Sequence, residues 1–325
     1  MLMRVLCALV LLASSFVLGG QASAQSYPNK PIRFVVPYPP GGPTDVMARL
    51  VANQMSAETG WTIVVENRAG GAAGTVGTKA VITAPADGYT VLITAPGPIT
   101  NAPAVYKNID YDPLKVLEPV SLLVVSPILV VVNAATPIHT IPELIAYAKA
   151  NPGALKFGTQ GFGTSTHLLA ELLKMEAKLD LVHVPYRGAA PALTDLMAGQ
   201  TQLYFDTTQV VAPHIRSGKL RPLAVADGKR FYAFPDVPTT IEMGLPSLKS
   251  IFWLGMFVPT GTPGDIVTRL NSAANKAMEA PGIRAKMADL GVEVRSGTPA
   301  DFRKLLDEEL EKWRGVSDKY GIKID

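Results

Sequence analysis

The chain has 325 residues, 48% of them hydrophobic, with 30 basic against 27 acidic side chains and one cysteine. No basic run and no large positive charge is available to neutralise phosphates, which argues against nucleic acid as the partner. The cysteine, Cys7, lies in an N-terminal apolar run, so the rest of the chain holds no disulfide, thiol nucleophile or thiolate metal ligand.

Met1 to Arg4 is a short basic start, Val5 to Leu18 is apolar, and Ala22-Ser23-Ala24 supplies small residues at a cleavage site. This is the pattern of a secretory signal, expected to be removed after about Ala24 in the periplasm. A retained anchor helix is the alternative, but the run falls short of the ~20 residues that span a bilayer. Loss of Arg4 leaves 29 basic against 27 acidic residues, a net charge of +2. Histidines occur only at 139, 167, 183 and 214, at no metal-ligand spacing, so zinc and iron–sulfur chemistry are not expected and no cofactor is assigned.

Beyond the signal, short β-branched runs alternate with helical patterns, which predicts an α/β fold: an open parallel sheet with helices on both faces. Strands are expected at 32–37, 62–66, 90–94, 120–133, 156–158, 180–185, 201–205, 221–225 and 252–258. Helices are expected at 44–58, 74–83, 141–149, 164–178, 189–198, 263–278, 283–290 and 299–319. Asp45, Ser165 and Thr262 stand where N-caps belong, and Gly60 and Gly199 where helices stop. So long a chain is expected to form two lobes: residues 25–120 plus 228–325, and residues 121–227. Crossing strands between such lobes allow closure over a ligand.

Two glycine-rich loops each join an apolar run to a helix. The first is Pro37 to Asp45, PYPPGGPTD, and the second runs from Gly158 to Thr166, GTQGFGTST. The first amides of a helix lack partners within it and, with the helix dipole, form an anion site. In the first loop Gly41 and Gly42 open the backbone, Thr44 offers a hydroxyl and Tyr38 a wall. Asp45 would oppose an anion, so its expected job is to satisfy local amides, with Arg49 paired to it one turn on. In the second loop Gly163, Thr164, Ser165 and Thr166 offer amides and hydroxyls. For both loops the alternative is an ordinary strand-to-helix turn.

Gly70 to Gly77 is a weak match to a dinucleotide fingerprint, because Glu66-Asn67-Arg68 separates it from the strand and Asp87 reads as a turn residue. A third backbone contribution to the same cleft is the simpler reading, with Asn67 bracing the loops. Thr94 to Gly97 also ends a strand and could reach a ligand. Asp206 either binds a ligand amino or hydroxyl group or caps the next helix. Arg187 could clamp a ligand or lie on the surface, and Trp253 reads as core. Ser165 and His167 do not make a hydrolase, since residues two apart on a helix diverge, and no nucleophile elbow is present.

Taken jointly, these motifs resemble Bug-type extracytoplasmic solute receptors, the substrate-binding components of tripartite tricarboxylate transporters. The carriers are Tyr27-Pro28, Lys30-Pro31-Ile32, the Pro37–Asp45 loop, Val65-Glu66-Asn67-Arg68, Ala84 to Thr90, Val184 to Gly188, Gly199-Gln200 and Phe234 to Thr239. The resemblance implies a two-lobed periplasmic binding protein fold (type II), no catalysis, and a small-molecule carboxylate ligand presented to integral-membrane permease subunits, by a monomer. It places ligand contacts at Tyr38, Gly41, Gly42 and Thr44, and at Gly163 to Thr166. This chain departs from many such receptors at Tyr38-Pro39-Pro40 and at Phe162, which favours a dicarboxylate or aromatic carboxylate over a small amino acid.

Overall fold

Ten strands and eleven helices occur among residues 27–324, which are the residues described by the computed structural model; the expected signal lies outside them. The strands are β1 (Ile32–Val36), β2 (Ile63–Asn67), β3 (Thr90–Thr94), β4 (Leu117–Asn133), β5 (Lys156–Thr159), β6 (Val182–Pro185), β7 (Leu203–Thr207), β8 (Leu220–Val225), β9 (Ile251–Pro259) and β10 (Glu293–Val294). The helices are α1 (Pro43–Thr59), α2 (Thr75–Ile82), α3 (Ala102–Val105), α4 (Pro113–Val116), α5 (Ile141–Ala150), α6 (Ser165–Glu176), α7 (Ala189–Met197), α8 (Thr208–Arg216), α9 (Gly264–Glu279), α10 (Pro281–Asp289) and α11 (Pro299–Tyr320).

The sheet order is β2-β1-β3-β9-β4-β7-β5-β6, with β8 and β10 also paired to β4. The sheet is mixed rather than parallel throughout. β1 lies parallel to β2 and β3, and β5 parallel to β6 and β7, as alternating βα units require. Between these two parallel sets run β4 and β9, antiparallel to each other and to their outer neighbours β7 and β3. β4 carries the change from one half to the other. Its residues 117–127 pair with β9, and its residues 128–133 pair with β7 and β8.

The apolar run in β4 is buried almost throughout, as a strand covered on both faces must be. Each half has its own apolar cluster. One gathers Phe157, Leu169, Leu203 and Phe205, and the other gathers Leu92, Trp253, Phe257 and Phe302. Trp253 is fully buried, as its apolar setting predicts.

All nine expected strands and all eight expected helices are present; their ends differ by a few residues. The caps differ more. Gly42, Thr164 and Pro263 occupy the N-cap positions of α1, α6 and α9, each one to three residues from the expected Asp45, Ser165 and Thr262. Gly60 does close α1 in the left-handed conformation, and Gly199 follows α7 in the same conformation. Outside the expected ranges are α3, α4, α8 and β10, although the capping alternative for Asp206 implied a helix where α8 begins, with Thr207 rather than Asp206 at its N-cap position. Three are too short to show a period, and α8 carries Pro213 in its last turns, which breaks the helical pattern.

Candidate functional site

Both glycine-rich loops leave the carboxyl ends of parallel strands, the first after β1 and the second after β5, where open α/β sheets collect ligands. Each feeds a helix N-terminus. In the first loop the Asp45 carboxylate turns back on its own backbone and accepts the Gly41 N–H at 2.9 Å. Arg49 Nε donates to it at 3.0 Å and Asn67 Nδ2 at 2.9 Å. Burial pushes this carboxyl up, but the bonds from Arg49, Gly41 and Asn67 outweigh burial and hold it below the ordinary aspartate value. Asn67 also donates to the Tyr38 carbonyl at 3.1 Å, so it ties β2, the loop and α1 together. With the Gly41 amide occupied, the amides left for a ligand are those that follow it at the start of α1. Thr44 is buried there.

The Tyr38 phenol points inward. The hydroxyl donates to the Ala73 carbonyl at 3.4 Å and shares a hydrogen bond with Thr94, and burial pushes its pKa upward. Thr94 is fully buried, so its hydroxyl serves this inner wall. Gly97, just past β3, packs so closely that a Cβ would stand 2.9 Å from the Tyr38 oxygen and 2.7 Å from the Ala73 carbonyl. The glycine run after β2 therefore packs against the first loop. Asp87 sits in a turn, accepting the Tyr89 N–H at 3.0 Å.

In the second loop Thr164 caps α6, accepting the His167 N–H at 3.3 Å and donating to the Gly161 carbonyl at 2.8 Å. Its hydroxyl also lies 3.0 Å from that of Thr166. The Ser165 hydroxyl accepts from Asn101 Nδ2 at 3.0 Å, deep in the protein. Gly163 has φ +71°, and a Cβ there would stand 2.6 Å from the Tyr106 ring. Phe162 is exposed at the loop tip.

The segment 97–106 therefore touches both loops: Gly97 meets Tyr38 of the first, while Asn101 and Tyr106 meet Ser165 and Gly163 of the second. Sequence reasoning reached the start of this segment at Gly97 and missed Asn101 and Tyr106, which lie outside every glycine-rich loop; Asn101 stands at the N-cap position of α3, a helix too short to show a period.

Asp206 is fully buried at the end of β7. Tyr204 Oη donates to it at 2.6 Å, Gln160 Nε2 at 2.8 Å and the Thr207 N–H at 2.7 Å. Burial pushes its carboxyl up to about 6 despite these three donors. Its bonds are internal, and through Gln160 they anchor the entry to the second loop. Arg187 is exposed, and the neighbouring Tyr186 bonds to Asp195 at 2.6 Å.

No Ser–His nucleophile pair forms at the second loop. Ser165 is engaged by Asn101, and Nδ1 of His167 accepts the Gly163 N–H at 3.3 Å. Burial and the neighbouring His183 pull His167 down to about 3, so its ring is neutral.

Among the described residues, no helix is long and apolar enough to cross a membrane. The profile of the family described as "Tripartite tricarboxylate transporter family receptor" matches residues 47–322. Protein BugT of Bordetella pertussis is 34% identical over 322 residues, covering 99% of this chain and 98% of BugT. Among solved structures, the periplasmic binding protein BugD is 35% identical with a TM-score of 0.84, covering 91% of this chain and 99% of BugD. Rpa4515 of R. palustris, solved with adipate, is 34% identical with a TM-score of 0.86, at 91% and 99% coverage. MatC of Rhodopseudomonas palustris, solved with bound malate, is 33% identical with a TM-score of 0.84, at 89% and 99% coverage. With its mixed sheet, an apolar cluster in each half and this match along nearly its whole described length, the chain belongs to the tripartite tricarboxylate transporter receptor family, Bug-type solute-binding proteins with the two-lobed fold of periplasmic binding proteins.

Proposed function

We propose that this protein captures an organic carboxylate, a dicarboxylate or an aromatic carboxylate in preference to an amino acid, and delivers it to the permease subunits of a tripartite tricarboxylate-type transporter. The observation that carries the reading is the pair of glycine-rich loops opening α1 and α6 and packed against one segment, 97–106. Their amides and hydroxyls replace water around an anion without a full counter-charge, which keeps binding reversible. Gly42, Thr44, Gly163, Thr164, Ser165 and Thr166 are the proposed contacts, with Gly41, Tyr38, Thr94 and Asp206 shaping or bracing the loops and Phe162 flanking the second. Adipate in Rpa4515 and malate in MatC support a dicarboxylate.

On this reading the chain acts as a monomer in the periplasm after loss of its signal near Ala24, and it does no chemistry on its ligand. Closure brings the lobes together, residues 25–120 plus 228–325 against residues 121–227. Packing of Leu248 against Phe157 and its neighbours favours extending the second lobe to residue 250.

Thermal unfolding of the purified protein against adipate, malate, tricarboxylates, aromatic acids and amino acids tests the proposal. A ligand at 100 times its Kd should add about 2.7 kcal/mol of stability. A selective shift with carboxylates, and no consumption of the compound, is the expected result. A flat response across the carboxylates, or turnover of one of them, would overturn it.

A further inference from the structure

Beneath the second loop lies a cluster none of whose three members is a proposed carboxylate contact. His167 and Glu171 stand one turn apart on α6, so they share a face of the helix. His183 reaches them from β6. One ligating atom from each of the three lies within 4.8 Å of the others. The two imidazoles are stacked, with ring centroids 4.6 Å apart. Phe157 stacks on the outer side of His183 at 4.8 Å and Phe162 meets both histidines edge-on, which fixes the rings in place. The three side chains open onto a cavity of about 490 Å³, closed on its other side by the C-terminal residues 321–324.

Two imidazole nitrogens and one carboxylate oxygen are the donor set of an open zinc site, with a fourth position left for water or a ligand. Thr159 Oγ1 stands 2.7 Å from Nε2 of His183, where it can hold the proton and leave Nδ1 free to ligate. We infer that His167, Glu171 and His183 bind a transition-metal dication of the zinc type.

Ligand atoms around a tetrahedral ion stand about 3.4 Å apart at ordinary zinc distances, so the cluster contracts on binding, mainly through the flexible Glu171. Two contacts yield. One is the 3.9 Å ion pair between Glu171 and Lys174. The other is the Gly163 N–H to Nδ1 of His167. This bond is lost whichever nitrogen the ion takes, because an ion on Nε2 requires a proton on Nδ1. Occupancy therefore frees an amide of the second loop. Among the described residues, the lysine or arginine lining the cavity is Lys323, itself paired with Asp318 at 3.6 Å.

The test is titration of Zn²⁺ alone into the chelator-treated protein by calorimetry, with Co²⁺ absorption as a second readout. One ion per chain is expected, with visible bands of tetrahedral Co²⁺. Glu171→Gln and His183→Gln should each weaken binding at least tenfold. Absence of binding overturns the inference. So does unchanged affinity in the variants, which would move the ion to the exposed His139 or elsewhere. Should His183→Gln fail to fold, Glu171→Gln decides alone, since Glu171 has no hydrogen-bond partner that the fold depends on among the described contacts.

Discussion

At the scale of single residues, the two best-defined polar groups near the loops behave in opposite ways. Asp45 is held ionised by donors, whereas Asp206 is buried deeply enough that its folded-state pKa, about 6, exceeds the roughly 3.9 of an unfolded aspartate. The folded protein therefore binds the Asp206 proton more tightly than the unfolded chain does. That contribution is complete below about pH 4 and is lost as pH rises through 6, a change of about 3 kcal/mol. Asp206→Asn should remove this slope, so the difference in urea-unfolding free energy between variant and parent should change between pH 4 and 7. A constant difference would mean that Asp206 does not titrate there. Gly42 offers a cleaner probe of binding. Its φ of −75° suits any residue, and a Cβ would meet only the Pro39 carbonyl at 3.6 Å. Gly42→Val should unfold within about 1 kcal/mol of the parent yet lose the thermal shift with carboxylate, because its side chain stands before the amides of α1. Retention of the full shift would place the site elsewhere.

Individual elements show what a sequence can and cannot reveal. Strands such as Thr90–Thr94 and helices such as Pro299–Tyr320 are legible because burial imposes a period on their own residues. The pairings of Asp45, Arg49 and Asn67 were also legible, since an acid beside the open amides of a glycine loop accepts from them and its other partners lie one turn or one strand away. Asn101 and Tyr106 were not. Their importance comes from contacts with Ser165 and Gly163 some 60 residues later, and no local pattern encodes such a meeting. The His167–His183 pairing was hidden for the same reason, although His167 and Glu171 by themselves have helical spacing. The N-terminus of α6 allows a direct check. Thr164 both caps the helix and holds the Gly161 carbonyl. Thr164→Ala should cost about 1 kcal/mol of unfolding free energy, and Thr164→Ser should recover most of it. Equal losses in both variants would show that the methyl group, not the hydroxyl, matters.

For the whole molecule, the question is how two parallel halves joined through β4 and β9 move. If ligand capture draws them together, small-angle scattering should show a smaller radius of gyration with a bound carboxylate than without. An unchanged radius would mean that the loops bind without closure. The same pair of strands has a consequence for how the protein comes into being. Its centre cannot be assembled in the order of synthesis. β4 ends at Asn133 and its partner β9 begins only at Ile251, so the middle of the sheet waits for more than a hundred further residues. Pairings so distant along the chain are slow to form. The growing polypeptide therefore emerges with the first part of β4, residues 117–127, without its β9 partner until about four-fifths of the chain has been made, an interval in which it remains threadable, and in need of protection from its own neighbours.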